Sequence, residues 1–152
     1  MAFNLKIDGF ANRGKIPTQF TCEGANCSPL VHWTDAPAGT RSLALIVDDP
    51  DAPSGVWNHW LVWDIPADVS ELGEGYHARS PVREGTNDFG KPGYGGPCPP
   101  RGHGPHRYFF RLFALDIETL NIRAGVQRSD LDRAIKTHVI AAVEFYGVFE
   151  RR

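Results

Sequence analysis

The chain has 152 residues, 41% of them hydrophobic, and a net charge of −2. A chain of this length hides roughly 70% of its unfolded surface and folds without staples, while the near-neutral charge excludes bulk attraction to nucleic acid or to an anionic membrane. No apolar run approaches the about 20 residues of a spanning helix, and the opening MAFNLKIDGF has neither a charged leader nor an apolar core. One domain over residues 1–152, with a cytoplasmic location, is therefore expected. The three cysteines are an odd number, which fits free thiols in a reducing compartment. If a bridge forms, Cys22–Cys27 is the nearest pair in sequence.

Short apolar runs between Gly/Pro-rich turns predict a mainly β protein. Phe3–Ile7 reads as the first strand, Gly14–Phe20 as the next, Cys22–Pro29 as a loop and Leu30–Trp33 as a short strand. Ser42–Val47 (SLALIV) is continuously apolar, so it predicts a central strand buried on both faces. DDPDAPSG at Asp48–Gly55 ends it as an ordered turn, because residues before proline are pushed out of helical geometry. Ala52–Pro53 is the position where a cis bond is expected. Val56–Ile65 (VWNHWLVWDI) follows, and strict period two places Trp57, His59, Leu61 and Trp63 on one face. Pro66–Arg83 is polar and predicts a loop with one short strand.

Gly90–Pro105 holds six glycines and five prolines in sixteen residues. Such a run is usually a linker. Here it carries Tyr94, Cys98, Arg101, His103 and His106 towards a strand, so it predicts a stiff loop forming a pocket wall. Along His106–Leu115, period two places His106, Tyr108, Phe110, Leu112 and Ala114 on one face, polar at its mouth and apolar beyond. Ser129 suits an N-cap, and the apolar spacing after it predicts a helix over Asp130–Ala142, then a last strand over Val143–Phe149.

Two strands thus open with an aromatic residue and a histidine two apart, Trp57/His59 and His106/Tyr108. Asp49 and Asp51 lie on the turn before the first of them. Taken singly each feature is ordinary: an Asp before Pro forms turns, and a Trp is core. Together, imidazoles, a phenol and the backbone N–H groups of a Gly-rich loop form a donor set that suits a small anion such as a phosphate, a phosphate monoester or a carboxylate. An Asp beside a histidine would fix its tautomer. Trp57, Tyr94 and the prolines would form an apolar rim. Cys98, His103 and His106 could supply zinc ligands, but no paired CxxC or HExxH frame accompanies them, so neither metal nor cofactor is expected. A hydrolase acting on a small phosphate or ester through His59 and His106 is the alternative; no G-x-S-x-G elbow supports it.

At these residues the sequence resembles the phosphatidylethanolamine-binding protein family, also called Raf kinase inhibitor-like proteins, in particular its short bacterial YbhB/YbcL branch. The resemblance rests on DPDAPSG at Asp49–Gly55, WNHWLVWDIP at Trp57–Pro66 and GYGGPCPPRGHGPHRYFFRLFALD at Gly93–Asp116. TCEGANCSPL at Thr21–Leu30 and the SDLDRAIKTH helix extend it over the chain. It implies a Greek-key antiparallel β-sandwich with a C-terminal helix and an anion pocket at one end. Carried over by motif, the pocket residues are Asp49, Trp57, His59, Pro99, Pro100, His106 and Tyr108, with Asp51, Gly96 and Cys98 as further lining. It places Cys22 and Cys98 in loops near the pocket, where oxidation could join them. The implied function is a non-enzymatic binding module for a phosphate or phospholipid-head-group-like anion. Such a module would regulate a protein partner such as a kinase or a protease. The branch's likeness to dimeric proteins also implies a homodimer.

Overall fold

The computed structural model describes residues 2–152. In chain order the strands are β1 (Asn4–Ile7), β2 (Val31–Thr34), β3 (Ser42–Asp49), β4 (Trp57–Pro66), β5 (Glu71–Leu72), β6 (Arg83–Glu84), β7 (His106–Leu115) and, after helix α1 (Arg128–Ile135), β8 (Val139–Phe149). They form two antiparallel sheets, one ordered β1-β2-β5 and one ordered β6-β4-β3-β7-β8. β3, β4 and β6 run side by side and β7 returns to lie against β3, which is Greek-key connectivity.

β3 is buried along its whole length because both faces of the large sheet are covered. Leu43, Leu45 and Val47 point into the space between the sheets, with Trp60, Val62, Phe110 and Leu112 of the large sheet and Leu5, Val31 and Trp33 of the small one. Ala44 and Ile46 face the other way, towards Leu61, Trp63, Leu131 and Ile135 beneath α1. Each such large side chain contributes roughly 1.5–3 kcal/mol by leaving water. No helix among the described residues is long and apolar enough to cross a membrane.

Several local expectations are corrected by long-range contacts. Gly14–Phe20 is not a strand: it holds a single 3-10 turn at Thr18–Phe20 and runs along the outer edge of β8, where Ile16 N–H donates to Val148 O and Val148 N–H to Gly14 O. Pro17 interrupts any ladder there, since it lacks an N–H. The helix is α1, Arg128–Ile135, rather than Asp130–Ala142, and Gln127, not Ser129, is its N-cap. Val139 to Ala142 instead pair with Leu115 to Phe113, so β8 starts four residues before the expected strand. Val139 and Ile140 are β-branched and favour that outcome. The cis bond is Ser80–Pro81, not Ala52–Pro53.

The most consequential correction is in β4. Val47 pairs with Trp60 and Asp48 with Asn58, leaving His59 as an extra residue. This is a β-bulge, and it breaks strict alternation. Leu61 and Trp63 therefore lie on the helix side of the sheet, while His59 turns to the same side as Tyr108. A second register shift between Leu43 and Leu45 puts Ile65 back between the sheets.

Candidate functional site

The end of β3 and the beginnings of β4 and β7 meet at one end of the large sheet, because β3 runs antiparallel to both. Alternation along β3 sends Asp48 to the helix side, where Arg111 and Arg128 both donate to its carboxylate at 3.0 Å. Asp49, the next residue, falls on the opposite side. There it lines a cavity of about 220 Å³ with Trp57, His59, Cys98, Pro99, Pro100, His106 and Tyr108, closed by Ala52–Ser54 and Phe89.

Asp49, His106 and Tyr108 are almost completely buried, at 3%, 2% and 1% exposure. Asp49 accepts from His106 Nδ1–H at 2.6 Å on one oxygen and from Asp51 N–H at 2.7 Å on the other. The carboxylate forces His106 to carry its proton on Nδ1. His106 Nε2 lies 2.6 Å from Nδ1 of His103. Both His106 nitrogens are thus engaged within the protein, so His106 is not the free donor that the sequence pattern suggests. His59 Nδ1–H donates to Gly95 O at 2.6 Å, and Gly95 N–H donates back to His59 O at 2.9 Å. Burial pushes the His59 pKa down, against the Gly95 carbonyl and the charge of Asp49, which pull it up. His59 is therefore held neutral, with its proton on Nδ1.

Two fully buried side-chain polar atoms on the cavity residues have no protein partner: the Tyr108 hydroxyl and Trp57 Nε1. Burial, and then Asp49, raise the Tyr108 pKa, so its oxygen keeps its proton and can donate. The His59 ring packs edge-to-face on Tyr108 at 5.2 Å and on Phe89 at 5.4 Å, and Phe89 packs on Trp57 at 5.5 Å. Polar donors at depth and an aromatic and proline rim are typical of small-ligand sites.

The Gly/Pro loop is fastened rather than floppy. Cys22 is bonded to Cys98, with Cα atoms 5.4 Å apart, and Cys27 is the free cysteine. This corrects both the expectation of free thiols and the Cys22–Cys27 alternative, and it removes the Cys98 sulfur as a thiolate ligand. Cys22 N–H donates to Pro97 O, Gly96 N–H to Asn26 Oδ1 and Tyr94 O–H to Phe20 O. A Cβ on Gly96 would run into the Phe20 carbonyl, so only glycine fits there. Arg151 Nε–H reaches back from the C-terminal segment to Pro99 O.

Three predicted residues lie outside the cavity lining. Asp51 faces out and pairs with Arg107 through two side-chain hydrogen bonds of 2.9 Å, which lower its pKa. Gly96 backs the loop, and Tyr94 packs on Trp60 in the core. Phe89, which is 43% exposed, was missed: a single aromatic in a polar turn carries no periodic signal. Ser54 was missed as well; no hydrogen bond links it to His59 or His106, so no nucleophile–base pair is formed.

A Greek-key sandwich with a small pocket at one sheet end is an architecture suited to holding a small ligand. A model of the phosphatidylethanolamine-binding protein family matches residues 6–150. The chain is 46% identical to a UPF0098 protein of Aquifex aeolicus over 93% of this chain and 85% of that one. The solved structure of YbcL from E. coli, described as a member of the mammalian family, superposes with a TM-score of 0.93 at 33% identity and covers 100% of both chains. A homologue of the family from Chlamydia trachomatis gives 0.90 at 37% identity over 99% of each chain. The chain belongs to the phosphatidylethanolamine-binding protein family, and with it goes a binding-module role.

Proposed function

We propose that the cavity takes a small anionic group, such as a phosphate, a phosphate monoester or a carboxylate, and that the chain acts by binding rather than by turnover. The observation that carries this reading is the pair of unpartnered donors, Tyr108 O–H and Trp57 Nε1–H, on side chains of one cavity. A buried donor left without a partner costs about 1–3 kcal/mol, a cost that a ligand oxygen relieves once the rings shift to admit it, both donor atoms being shielded from solvent. Asp49 is a negative charge in the same cavity, but its two oxygens are already occupied by His106 and by Asp51 N–H. Phe89, Pro53 and Pro99 suit the carbon chain to which the anionic group is attached. A protein partner displaying a phosphorylated side chain or a terminal carboxylate would present the same chemistry, which is how such a module would regulate a kinase or a protease.

Sulfate is the cleanest probe because its charge is constant with pH. Calorimetric titration of sulfate at mildly acidic pH should give saturable binding to wild type. Binding should weaken about tenfold or more in Tyr108→Phe and Trp57→Phe, the size of one hydrogen bond to a charged group. Tyr108→Phe should keep its thermal stability, since it removes only an unpartnered polar atom; Trp57→Phe also shortens the ring that packs on Phe89, so its fold is checked by thermal unfolding beside the titration. Wild-type affinity in both variants would overturn the reading.

A further inference from the structure

We propose that His103, an exposed residue of the Gly/Pro loop, belongs to the site: it is the solvent end of an Asp49–His106–His103 chain that takes up the proton accompanying anion binding. The ligand half of this proposal rests on the anion reading above.

The chain runs from buried to exposed in three members. Asp49 Oδ2 is 2.6 Å from His106 Nδ1, and His106 Nε2 is 2.6 Å from His103 Nδ1. Asp49 and His106 are buried, whereas His103 is exposed. Its loop is pinned from both sides, by His103 N–H donating to Pro100 O and Gly102 N–H donating to Arg151 O, so the imidazole pair is held in register.

The proton count follows from this connectivity. Asp49 is an acceptor, so His106 Nδ1 carries a hydrogen. One further hydrogen lies between His106 Nε2 and His103 Nδ1. With His103 Nε2 bare, the two rings are neutral and Asp49 is an uncompensated negative charge in the cavity. A proton arriving from water binds His103 Nε2. The shared hydrogen then shifts towards His106, and the pair carries one positive charge beside Asp49. No bond to carbon changes, and no buried atom has to meet water. The cavity gains a cation through a residue that is not in its lining.

The alternative seat for that proton is His59. Its Nδ1–H is donated to Gly95 O, and burial, which lowers its pKa, disfavours a second proton on its remaining nitrogen, Nε2. The remaining charged groups around the chain are arginines, which stay charged, and carboxylates that arginines hold, so none of them can take up a proton. Asp51 and Arg107 pair with each other, Arg151 donates to Pro99 O, and Arg101 lies 4.0 Å from Glu23. Asp48 is on the opposite face of the sheet with Arg111 and Arg128. The Asp49–His106–His103 chain is therefore the group left to answer an incoming anion.

Two measurements on the whole chain test this. In ligand-free protein, the side-chain nitrogen resonances of His103 and His106 are followed through pH 5–8, the range in which histidine changes charge. A shared proton requires both rings to move along one profile, as coupled sites do. In His103→Gln, His106 should lose that profile. Sulfate is then titrated into wild type, His103→Gln and His103→Asn in two buffers of different ionisation enthalpy. Wild type should take up protons on binding, and its affinity should fall about five- to tenfold from pH 5 to pH 8. Both variants should bind with no proton uptake and a flat pH profile, meeting the wild-type affinity at the alkaline end. A purely structural His103 would shift all pH values alike, and equal proton uptake in wild type and variants would overturn the proposal. If sulfate binds none of the proteins, the anion reading fails. The ligand-free profiles then still decide the relay, with independent titration of the two rings refuting it.

Discussion

Breaking the Cys22–Cys98 bond should cost this protein a large share of its stability without rearranging the fold. The bond closes a loop spanning 76 residues of sequence. In the chain-entropy description, a loop of that length removes about 15 cal/mol/K from the unfolded ensemble, or about 4.5 kcal/mol at 25 °C. The folded state has other ties between the same two loops: Cys22 N–H to Pro97 O, Gly96 N–H to Asn26 Oδ1 and Tyr94 O–H to Phe20 O. These hold the loops in place once the covalent link is gone, so the loss falls mainly on the unfolded side. Measured losses for native bridges cluster at about 2–5 kcal/mol. A domain has only about 5–15 kcal/mol to lose. Urea unfolding of oxidised wild type, phosphine-reduced wild type and the Cys22→Ala/Cys98→Ala double variant is the assay, with Cys27 retained in all three. The reduced and double-variant proteins should agree with each other and lie about 2–4.5 kcal/mol below the oxidised protein. Their urea slope should be steeper, because an unlinked chain exposes more surface. A difference under about 1 kcal/mol would refute the reasoning, since it would mean that the bond constrains the unfolded chain no more than the folded one.

Two further outcomes follow from buried ionisable groups. His59 has its pKa lowered by burial, so the unfolded chain binds the extra proton first and stability rises with pH there. That contribution is complete above the unfolded value near about 6.5 and is lost as pH falls from there through the folded value. The stability difference between wild type and His59→Gln, followed by denaturant unfolding from pH 4 to 8, should therefore shrink towards acid; a constant difference would contradict a neutral His59. Asp64 is buried at positive φ, and burial raises its pKa while its Oδ1 accepts from Leu120 N–H. Its contribution is fully present below the unfolded value near about 3.9 and is lost as pH rises through the folded value. Asp64→Asn keeps the acceptor and tolerates that backbone conformation, so it should stabilise the protein at pH 7 by about 0.5–1.5 kcal/mol and leave it unchanged at pH 3. A less stable Asp64→Asn at pH 7 would refute this.

What could be read along the chain is what local physics decides. The pleat of a strand alternates side chains, so SLALIV announced a strand buried on both faces, and Asp48 and Asp49 parted to opposite sides as alternation requires. Proline and glycine restrict or free the backbone locally, so the ordered turn at Asp48–Gly55 and the stiff loop at Gly90–Pro105 were legible, as was the polar mouth of β7. What lay out of reach depended on which distant residue arrived alongside. The bulge that turns His59 towards Tyr108 exists because β4 carries one residue more than β3 over the same ladder. The end of α1 is set by the pairing of Val139 to Ala142 with β7, which outweighs a helical spacing continuing through those residues. Cysteine pairing followed proximity in space across 76 residues, which the family resemblance suggested and residue spacing did not, rather than the five that separate Cys22 from Cys27. The link between His103 and His106 needed the loop turned back on its own strand by Pro100 and Arg151, contacts with no trace in residue spacing. Periodicity and turn chemistry act over a few bonds, whereas registers, bridges and the contact between two imidazole rings are settled only when the whole chain has closed.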